Sequence, residues 1–282
     1  MSVPNPYCPD CKGTGRLIGV KGEVAEARKC HCVPPCPRCN DTGRLLVEMG
    51  GARRIARCRC QMLPDRIALF NTARIPGRHR ASTFDTYRTD LPGAKAGYDY
   101  ALSWCRSYRP GLDNRGLVLF GQVGRGKTHL LAAIMHYLVF DKGVQVRFIE
   151  FSHLLSELKA GFEQGRGTSK TMGALAHVEV LAIDEMGKGR NTDFEISVVD
   201  ELISRRYNGV RTTLATTNYQ PGRGRGIATA NLSQPKHQPS LVDRVGERVY
   251  SRLTEMVDFR PVLGEDFRGR VGRVRHGGQR PA

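Results

Sequence analysis

Apolar positions recur along most of the chain in two different periods. Short, almost wholly apolar runs predict buried strands at 117–120, 144–150, 178–183 and 212–215. Apolar residues at helical spacing predict helices at 94–108, 129–135, 153–162, 195–207 and 241–256, with Ser152 capping the third. Strands that alternate with helices predict an α/β fold, in which helices cover both faces of a parallel sheet.

Three regions lack this alternation. The start of the chain is rich in cysteine, and the segments 220–240 and 271–282 are rich in glycine and basic residues without any period. The latter two predict a mobile loop and a flexible tail. We therefore expect a cysteine module, a connector, an α/β domain and a tail, with bounds at 1–62, 63–83, 84–270 and 271–282.

Charge and the absence of long apolar runs narrow the class of protein. No run approaches the length of a membrane span, and the start of the chain lacks the basic and apolar segments of a signal peptide. The sequence therefore predicts a cytoplasmic protein with no membrane partner. The formal net charge of +17 favours a polyanionic partner, because lysine and arginine release counterions when they neutralise phosphates. A merely soluble basic surface is the alternative.

The segment 121–128, with the sequence GQVGRGKT, carries the strongest chemical signal. It follows a predicted strand and precedes a predicted helix, as a phosphate-binding loop must, whereas a simple glycine-rich turn is the alternative. Its backbone N–H groups would face phosphate oxygens at the positive end of the helix. Lys127 would reach the β- and γ-phosphates, and Thr128 would bind Mg²⁺. The predicted nucleotide contacts are Gly121, Gln122, Val123, Gly124, Arg125, Gly126, Lys127, Thr128 and His129.

Two adjacent carboxylates follow the apolar run at 178–183. Asp184 is predicted to hold Mg²⁺ through water, and Glu185 to orient and deprotonate the attacking water. The pair favours hydrolysis over transfer to a second substrate. Asn218, at the end of the next predicted strand, is placed to reach the γ-phosphate or that water, although a turn-forming asparagine is a rival interpretation.

Eight of the nine cysteines form an internal duplication. Residues 8–32 and 36–60 each read C-x2-C, then 18 residues, then C-x-C, and they superpose without a gap at a period of 28. His31, inside the first C-x-C pair, is replaced by Arg59 in the second and is predicted to be a bystander. Cys105 stands apart and is predicted to be a buried thiol.

Metal binding explains these cysteines better than a disulfide framework, because a cytoplasmic nucleotide-binding protein keeps its thiols reduced. Four thiolates suit tetrahedral Zn²⁺. We expect each repeat to close its own zinc site, although the spacing leaves open which pairs share one. The predicted ligands are Cys8, Cys11, Cys30 and Cys32 for one zinc, and Cys36, Cys39, Cys58 and Cys60 for the other.

Three arginines recur at four-residue intervals on the predicted helix 241–256. One of Arg244, Arg248 and Arg252 is a candidate arginine finger, a cation that neutralises charge developing on a γ-phosphate bound by a neighbouring subunit. Exposed solubilising arginines explain the spacing equally well.

Together, GQVGRGKTHLLAAI, VLAIDEMG, TTN, ERVYSRLTEM and GEDFR resemble the DnaC/IstB group of AAA+ ATPases, which are helicase loaders and transposition helpers. The resemblance covers residues 74–270. It implies ATP as the nucleotide, Arg252 as the finger acting in trans, and Arg268 as a second-sensor arginine. It also implies contacts with single-stranded DNA at Lys159, Phe162, Thr192 and Phe194, although the two phenylalanines suit a core equally well.

Helicase loaders with a zinc-binding N-terminal region resemble the whole layout best. By that resemblance the cysteine module docks on a hexameric replicative helicase. The first hypothesis is therefore a loader that uses ATP, Mg²⁺ and two Zn²⁺, self-associates through its ATP site and binds single-stranded DNA. The second is a transposition helper that recruits a transposase, and the third is a zinc-dependent adaptor that uses ATP only as a switch.

Overall fold

The computed structural model describes residues 3–163, 169–222 and 239–267, with only the backbone described at 162, 163, 169 and 170. The strands in these ranges are β1 Arg16–Lys21, β2 Val24–Lys29, β3 Arg44–Met49, β4 Ala52–Arg57, β5 Gly116–Phe120, β6 Val146–Glu150, β7 Val180–Asp184, β8 Thr212–Thr217 and β9 Val257–Pro261. The α-helices are α1 Met62–Ala73, α2 Ala94–Ser107, α3 Lys127–Tyr137, α4 Phe151–Glu163, α5 Ser169–His177, α6 Asp193–Asn208, α7 Leu241–Val245 and α8 Glu247–Met256.

Five strands form one sheet in the order β6-β7-β8-β5-β9, and every neighbouring pair is parallel. Alternate residues of a strand enter different cores: Leu117 packs with α2 and α3, whereas Val118 packs with α4, α6 and α8. This sheet, with helices on both faces, confirms the predicted α/β class. The order also puts β5, which precedes the phosphate loop, between β8 and β9.

The cysteine-rich region forms two β-hairpins that the sequence analysis did not predict. In the first hairpin β1 pairs with β2, and in the second β3 pairs with β4, both antiparallel and six residues deep. Each hairpin is closed at its base by a backbone hydrogen bond from a cysteine of the repeat, Cys30 N–H to the Gly15 carbonyl and Cys58 N–H to the Gly43 carbonyl. The duplicated sequence therefore folds as a duplicated structure.

The helix α1 joins this region to the sheet. Phe70 and Ala73 are fully buried on it, and Ala25 and Ala27 of the first hairpin enter the same core. The side chain of Asn71 accepts from the Ala27 N–H at 2.7 Å and donates to the Ala27 carbonyl at 3.0 Å. The first hairpin is thereby packed onto the body of the protein.

Several elements differ from the predictions. The single helix expected at 241–256 is wrong, because Gly246 has a positive φ of 85° and separates α7 from α8. Arg244 therefore does not share a helix with Arg248 and Arg252. Ser152 does not cap α4, which begins one residue earlier; its hydroxyl donates to Glu150. Within the described ranges, no helix is long and apolar enough to cross a membrane.

Candidate nucleotide site and cysteine clusters

The phosphate loop lies between β5 and α3, as predicted. Three of its glycines have positive φ, Gly121 at 147°, Gly124 at 82° and Gly126 at 80°, and Gly126 is the N-cap of α3. Only glycine adopts such angles without cost, which explains the spacing. The Lys127 ammonium is almost buried and donates to the carbonyls of Gly121 and Gln122, both at 2.8 Å. The lysine is thus already turned back over its own loop.

Asp184 ends β7 directly beside this loop. Its carboxylate accepts from the hydroxyls of Thr128 at 3.0 Å and Thr216 at 2.5 Å. Burial raises the pKa of Asp184, and the two hydroxyl bonds oppose that shift. The two residues predicted to hold Mg²⁺, Thr128 and Asp184, are therefore in direct contact, and an oxygen donor set of this kind suits that ion. Thr216, on the adjacent strand, was absent from the predicted set.

Glu185 is held by two further contacts. It has a positive φ of 56°, and its N–H donates to the Thr216 hydroxyl at 2.9 Å. Its carboxylate pairs with Lys188, which also lies 3.8 Å from Glu150. The bond to Glu185 raises the pKa of Lys188, so this ammonium stays charged beside the carboxylate. The sequence alone did not indicate Lys188, because any lysine in the turn after β7 looks like a surface residue.

The pocket at this loop has a wall that the motifs did not reveal. Glu185, Thr216 and Asn218 line it together with the loop, and a second group completes the lining: Arg78, His79, Tyr87 and Phe267. Among the described residues the buried Tyr87 hydroxyl has no hydrogen-bond partner, and burial raises its pKa to about 12. It is therefore a neutral donor facing the pocket.

His129 connects the phosphate loop to that wall. It lines the pocket, and its Nε2 lies 3.0 Å from the carbonyl of Thr83 and 3.3 Å from the Thr86 hydroxyl. Burial lowers the pKa of His129, which favours the neutral ring with Nε2–H donating to Thr83. A predicted nucleotide contact thus also ties the segment 83–87 to α3.

Among the described residues, neither Arg244 nor Arg252 lines this pocket. Arg252 lies on α8 and pairs with Asp200 of α6 at 2.7 Å. Its role as a finger acting in trans therefore stays a prediction. Arg268 lies outside the described residues. Arg244 donates to the carbonyls of Gly187 and Gly189 and fixes the turn after β7.

The predicted DNA contacts occupy different kinds of position. Lys159 is exposed on α4, and the side chain of Phe162 lies outside the described part of the chain. Thr192 caps α6 through a reciprocal pair of bonds with Glu195. Phe194 packs partly against the core. Thr192 and Phe194 therefore have structural roles. DNA binding by the four residues stays a prediction.

Each cysteine repeat forms its own cluster. In each, the four sulfur atoms lie within 4.8 Å of one another, and the cross-hairpin pairs are 3.8 and 3.4 Å apart in the first repeat and 3.8 and 3.3 Å in the second. Tetrahedral zinc with bonds of about 2.3 Å puts its ligands about 3.8 Å apart. Disulfides need about 2 Å. Both clusters therefore fit Zn²⁺.

The clusters differ at one turn position. Gly13 of the first repeat has a positive φ of 80°, and Asp41 takes its place in the second at 62°. Aspartate tolerates this conformation when its side chain bonds locally. Asp41 accepts from the Cys36 N–H at 2.8 Å, a bond that lowers its pKa, and pairs with Lys29 at 3.3 Å. The change preserves the cluster and links the two repeats.

The predictions for Cys105, a buried thiol, and His31, a bystander, can be compared with their positions in the structure. Cys105 is fully buried, and burial raises the pKa of its thiol, which confirms an unreactive core cysteine. His31 is exposed, and its imidazole lies 3.7 Å from Asp10. A histidine, an aspartate and Cys8 come close enough to share an ion, yet Cys8 already belongs to the first cluster.

The phosphate loop after β5, the carboxylates after β7 and the sheet order define a P-loop ATPase of the AAA+ class. A family model for "IstB-like ATP binding protein" matches residues 69–244. The chain belongs to that family.

Individual relatives and structures agree with this family. The replicative helicase loader DnaC of Escherichia coli K12 is 29% identical over 187 residues, 65% of this chain and 67% of the relative. The insertion-sequence protein Rv3427c of Mycobacterium tuberculosis is 28% identical over 70% of this chain and 78% of its own length. The crystal structure of the DnaC helicase loader has a TM-score of 0.55 at 25% identity, covering 66% of this chain and 99% of that chain.

Proposed function

We propose that this protein is an ATPase that loads a hexameric replicative helicase onto single-stranded DNA. The observation that carries the proposal is the joint contact of Thr128, Thr216 and Asp184, with Glu185 next in the chain and held by Lys188. This arrangement puts two separate carboxylates at a phosphate loop, one for the ion and one for water. The similarity to the helicase loader DnaC supports helicase loading as the process that uses ATP hydrolysis.

Each of the site residues has a separate role in the proposed hydrolysis of ATP. Lys127 and the loop N–H groups bind the β- and γ-phosphates, and Asp184 with Thr128 would hold Mg²⁺, which would supply charge neutralisation. Glu185 takes the proton of the attacking water, which Asn218 helps to orient. Lys188 holds the Glu185 carboxylate in place through their ion pair. Hydrolysis of this kind also uses a cation opposite the γ-phosphate.

That cation is assigned to Arg252 of a neighbouring subunit. The guanidinium is one-third exposed and, among the described residues, is held by Asp200, a contact that a stronger anion can displace. ATP would then lie between subunits, and hydrolysis would depend on assembly. Arg268 is proposed as a second cation on the nucleotide.

Binding of single-stranded DNA is proposed on the face that bears Lys159, Phe162, Thr192 and Phe194. A cation that meets phosphate and aromatic faces that stack on bases are the groups such binding uses. The net charge of +17 supports a polyanionic partner. Two Zn²⁺ are proposed in the cysteine clusters, and the second hairpin is proposed as the surface that meets the helicase.

A second candidate function is help in DNA transposition with a transposase as the partner. The family match and the 28% identity with the insertion-sequence protein Rv3427c favour it. The ATP site would be the same, so only the partner separates the two functions. Retention of a replicative helicase, but not a transposase, by the full-length chain is the expected result.

The test of the ATPase uses Glu185→Gln with Glu150→Gln as a matched control, because both carboxylates lie near Lys188. We expect Glu185→Gln to lower ATP turnover in the presence of single-stranded DNA by about 100-fold or more while ATP stays bound. Glu150→Gln should retain turnover within about threefold. Equal turnover in Glu185→Gln and wild type would reject the ATPase and leave the adaptor hypothesis.

A further inference from the structure

We infer that the first cysteine repeat is a structural part of the nucleotide site: its hairpin holds residues 75–79, of which Arg78 and His79 line the pocket. The inference deepens the proposed function, because it rests on ATP binding at that site. Its first test requires ATP binding but no hydrolysis, DNA or helicase.

Backbone bonds join the hairpin to this segment. The Ala25 N–H donates to the Ile75 carbonyl at 2.7 Å, and the Gly77 N–H donates to the Glu23 carbonyl at 2.8 Å. Between them, Val24 and Pro76 form an antiparallel bridge. The segment therefore continues the hairpin as a short third strand. It then turns at once into a 3-10 helix, Gly77–His79, whose last two residues line the pocket.

Gly77 packs closely against Val20 and Glu23 of the first hairpin. A Cβ at this position would lie 2.7 Å from Cγ1 of Val20 and 3.4 Å from the Glu23 carbonyl. Gly77 does not have a positive φ, so its backbone conformation does not require glycine. The reason for glycine here is the hairpin lying against it. A side chain at this position would push the segment and the hairpin apart.

The segment is also held at its far end. The His79 ring lies 3.0 Å from the Ser82 hydroxyl, and His129 of α3 bonds to the Thr83 carbonyl. The hairpin and the phosphate-loop helix therefore hold the segment from its two ends, with Arg78 and His79 between them. Both residues line the pocket, so the position of the hairpin sets the position of this part of its wall.

The hairpin itself is anchored on the body by contacts that the second repeat lacks. Ala25 and Ala27 are 1% and 3% exposed, whereas Arg53 and Ile55, at the equivalent positions 28 residues later, are exposed. The Arg16 guanidinium also lies 3.7 Å over the Phe140 ring, at the end of α3. The duplication thus provides a matched control for each variant of the first repeat.

The first experiment compares Cys30→Ser with Cys58→Ser in the full-length chain. Native mass spectrometry should show that each variant has lost one of two zinc ions. We expect the dissociation constant for a fluorescent ATP analogue to rise about tenfold in Cys30→Ser and to change less than about twofold in Cys58→Ser. Equal affinities in the two variants would overturn the inference.

The second experiment does not involve the metal. Gly77→Ala should raise the KM for ATP about tenfold with kcat within about twofold, because it displaces a wall and no reacting group. Val20→Ala combined with Gly77→Ala should restore KM, since the clash is with the valine methyls. Gly19→Ala is the control, as a Cβ there meets nothing within 4 Å.

The outcomes separate this inference from the proposed function. Gly77→Ala that behaves like Gly19→Ala, or a double variant that is no better than Gly77→Ala, would reject the role of the hairpin. A wild-type chain that does not bind the ATP analogue would instead reject the proposed function. If Gly77→Ala also lowers the melting temperature, restoration of KM by Val20→Ala still identifies the steric contact.

Discussion

The two cysteine repeats share their ligand spacing, their hairpin and their cluster geometry, yet they lie in different surroundings. The first hairpin packs its alanines on α1 and borders the nucleotide pocket. The second presents a cross-strand apolar pair, Leu46 and Ile55, 67% and 71% exposed. The cluster needs only its four cysteines and a few turn residues. The remaining positions of each copy were therefore free to diverge, one toward packing and one toward an open surface.

We expect the largest difference between the two repeats when a cluster cysteine is replaced in each. Cys8→Ser should lower the melting temperature of the ATPase domain by roughly 10 °C, because loss of the cluster releases the core contacts of the first hairpin. Cys36→Ser should leave that transition within about 2 °C. Calorimetry of both variants is the measurement, and equal shifts would contradict the difference between the repeats.

Exchange of the residue at one equivalent position should have the next largest effect. Ala25→Arg puts a charge into a buried site and should lower the free energy of unfolding by about 3 kcal/mol. The reverse change, Arg53→Ala, should alter it by less than about 0.5 kcal/mol, because that position is exposed. Urea unfolding measures both. A small effect of Ala25→Arg would show that the first hairpin does not pack as described.

We expect the loss of folding stability at acid pH to arise mainly from His136, which lies near Arg16 of the first hairpin. Burial and the charges of Arg16, His129 and His79 lower the pKa of His136 to about 4, from an ordinary value of about 6.5. The neutral ring is favoured in the folded state, so its contribution is present above pH 6.5 and is lost as the pH falls toward 4.

The test is His136→Phe, since this ring packs against both Phe70 and Phe140. Thermal melting between pH 7 and pH 5 should show a smaller loss of stability in the variant than in the wild type. Both proteins keep all eight cluster cysteines, so acid protonation of thiolates affects them equally. Identical pH profiles would exclude His136 as the source.

The smallest effect on stability is expected for the apolar pair of the second hairpin. Leu46→Ser and Ile55→Ser should change the free energy of unfolding by less than about 0.5 kcal/mol. Under the proposed function they should weaken retention of the helicase by roughly tenfold or more, because central apolar residues dominate binding. Helicase capture by the full-length variants, with Val20→Ser in the first repeat as control, measures this. Unchanged capture would place the partner elsewhere.

Prediction from sequence succeeded where the signal is local. The strands before the phosphate loop and before Asp184 were recognisable because a buried parallel strand is apolar throughout. The hairpins were not predicted, because the cysteine spacing was the main pattern recognised in that region. The strand β9 was not predicted, because Asp258 and Arg260 interrupt its apolar residues. A helix was expected through Gly246 because apolar residues recur at helical spacing on both sides of it.

Part of the candidate site also escaped prediction for a physical reason. Thr216 and Lys188 have ordinary sequence surroundings, and only the pairing of β7 with β8 and the turn after β7 bring them to Asp184 and Glu185. Tyr87 and His79 precede the phosphate loop by more than 30 residues. Their place in the pocket depends on the connector packing against the sheet.

The sequence by itself determined the chemistry of this protein: a phosphate loop, two carboxylates after a buried strand, and two sets of four cysteines. Each depends on residues close together in the chain, where backbone geometry fixes which side chains meet. Only the tertiary structure decided which cysteine repeat is docked and what closes the nucleotide pocket. Those features depend on contacts between distant segments, such as Val20 against Gly77 and Asn71 against Ala27, and on the burial that makes them stable.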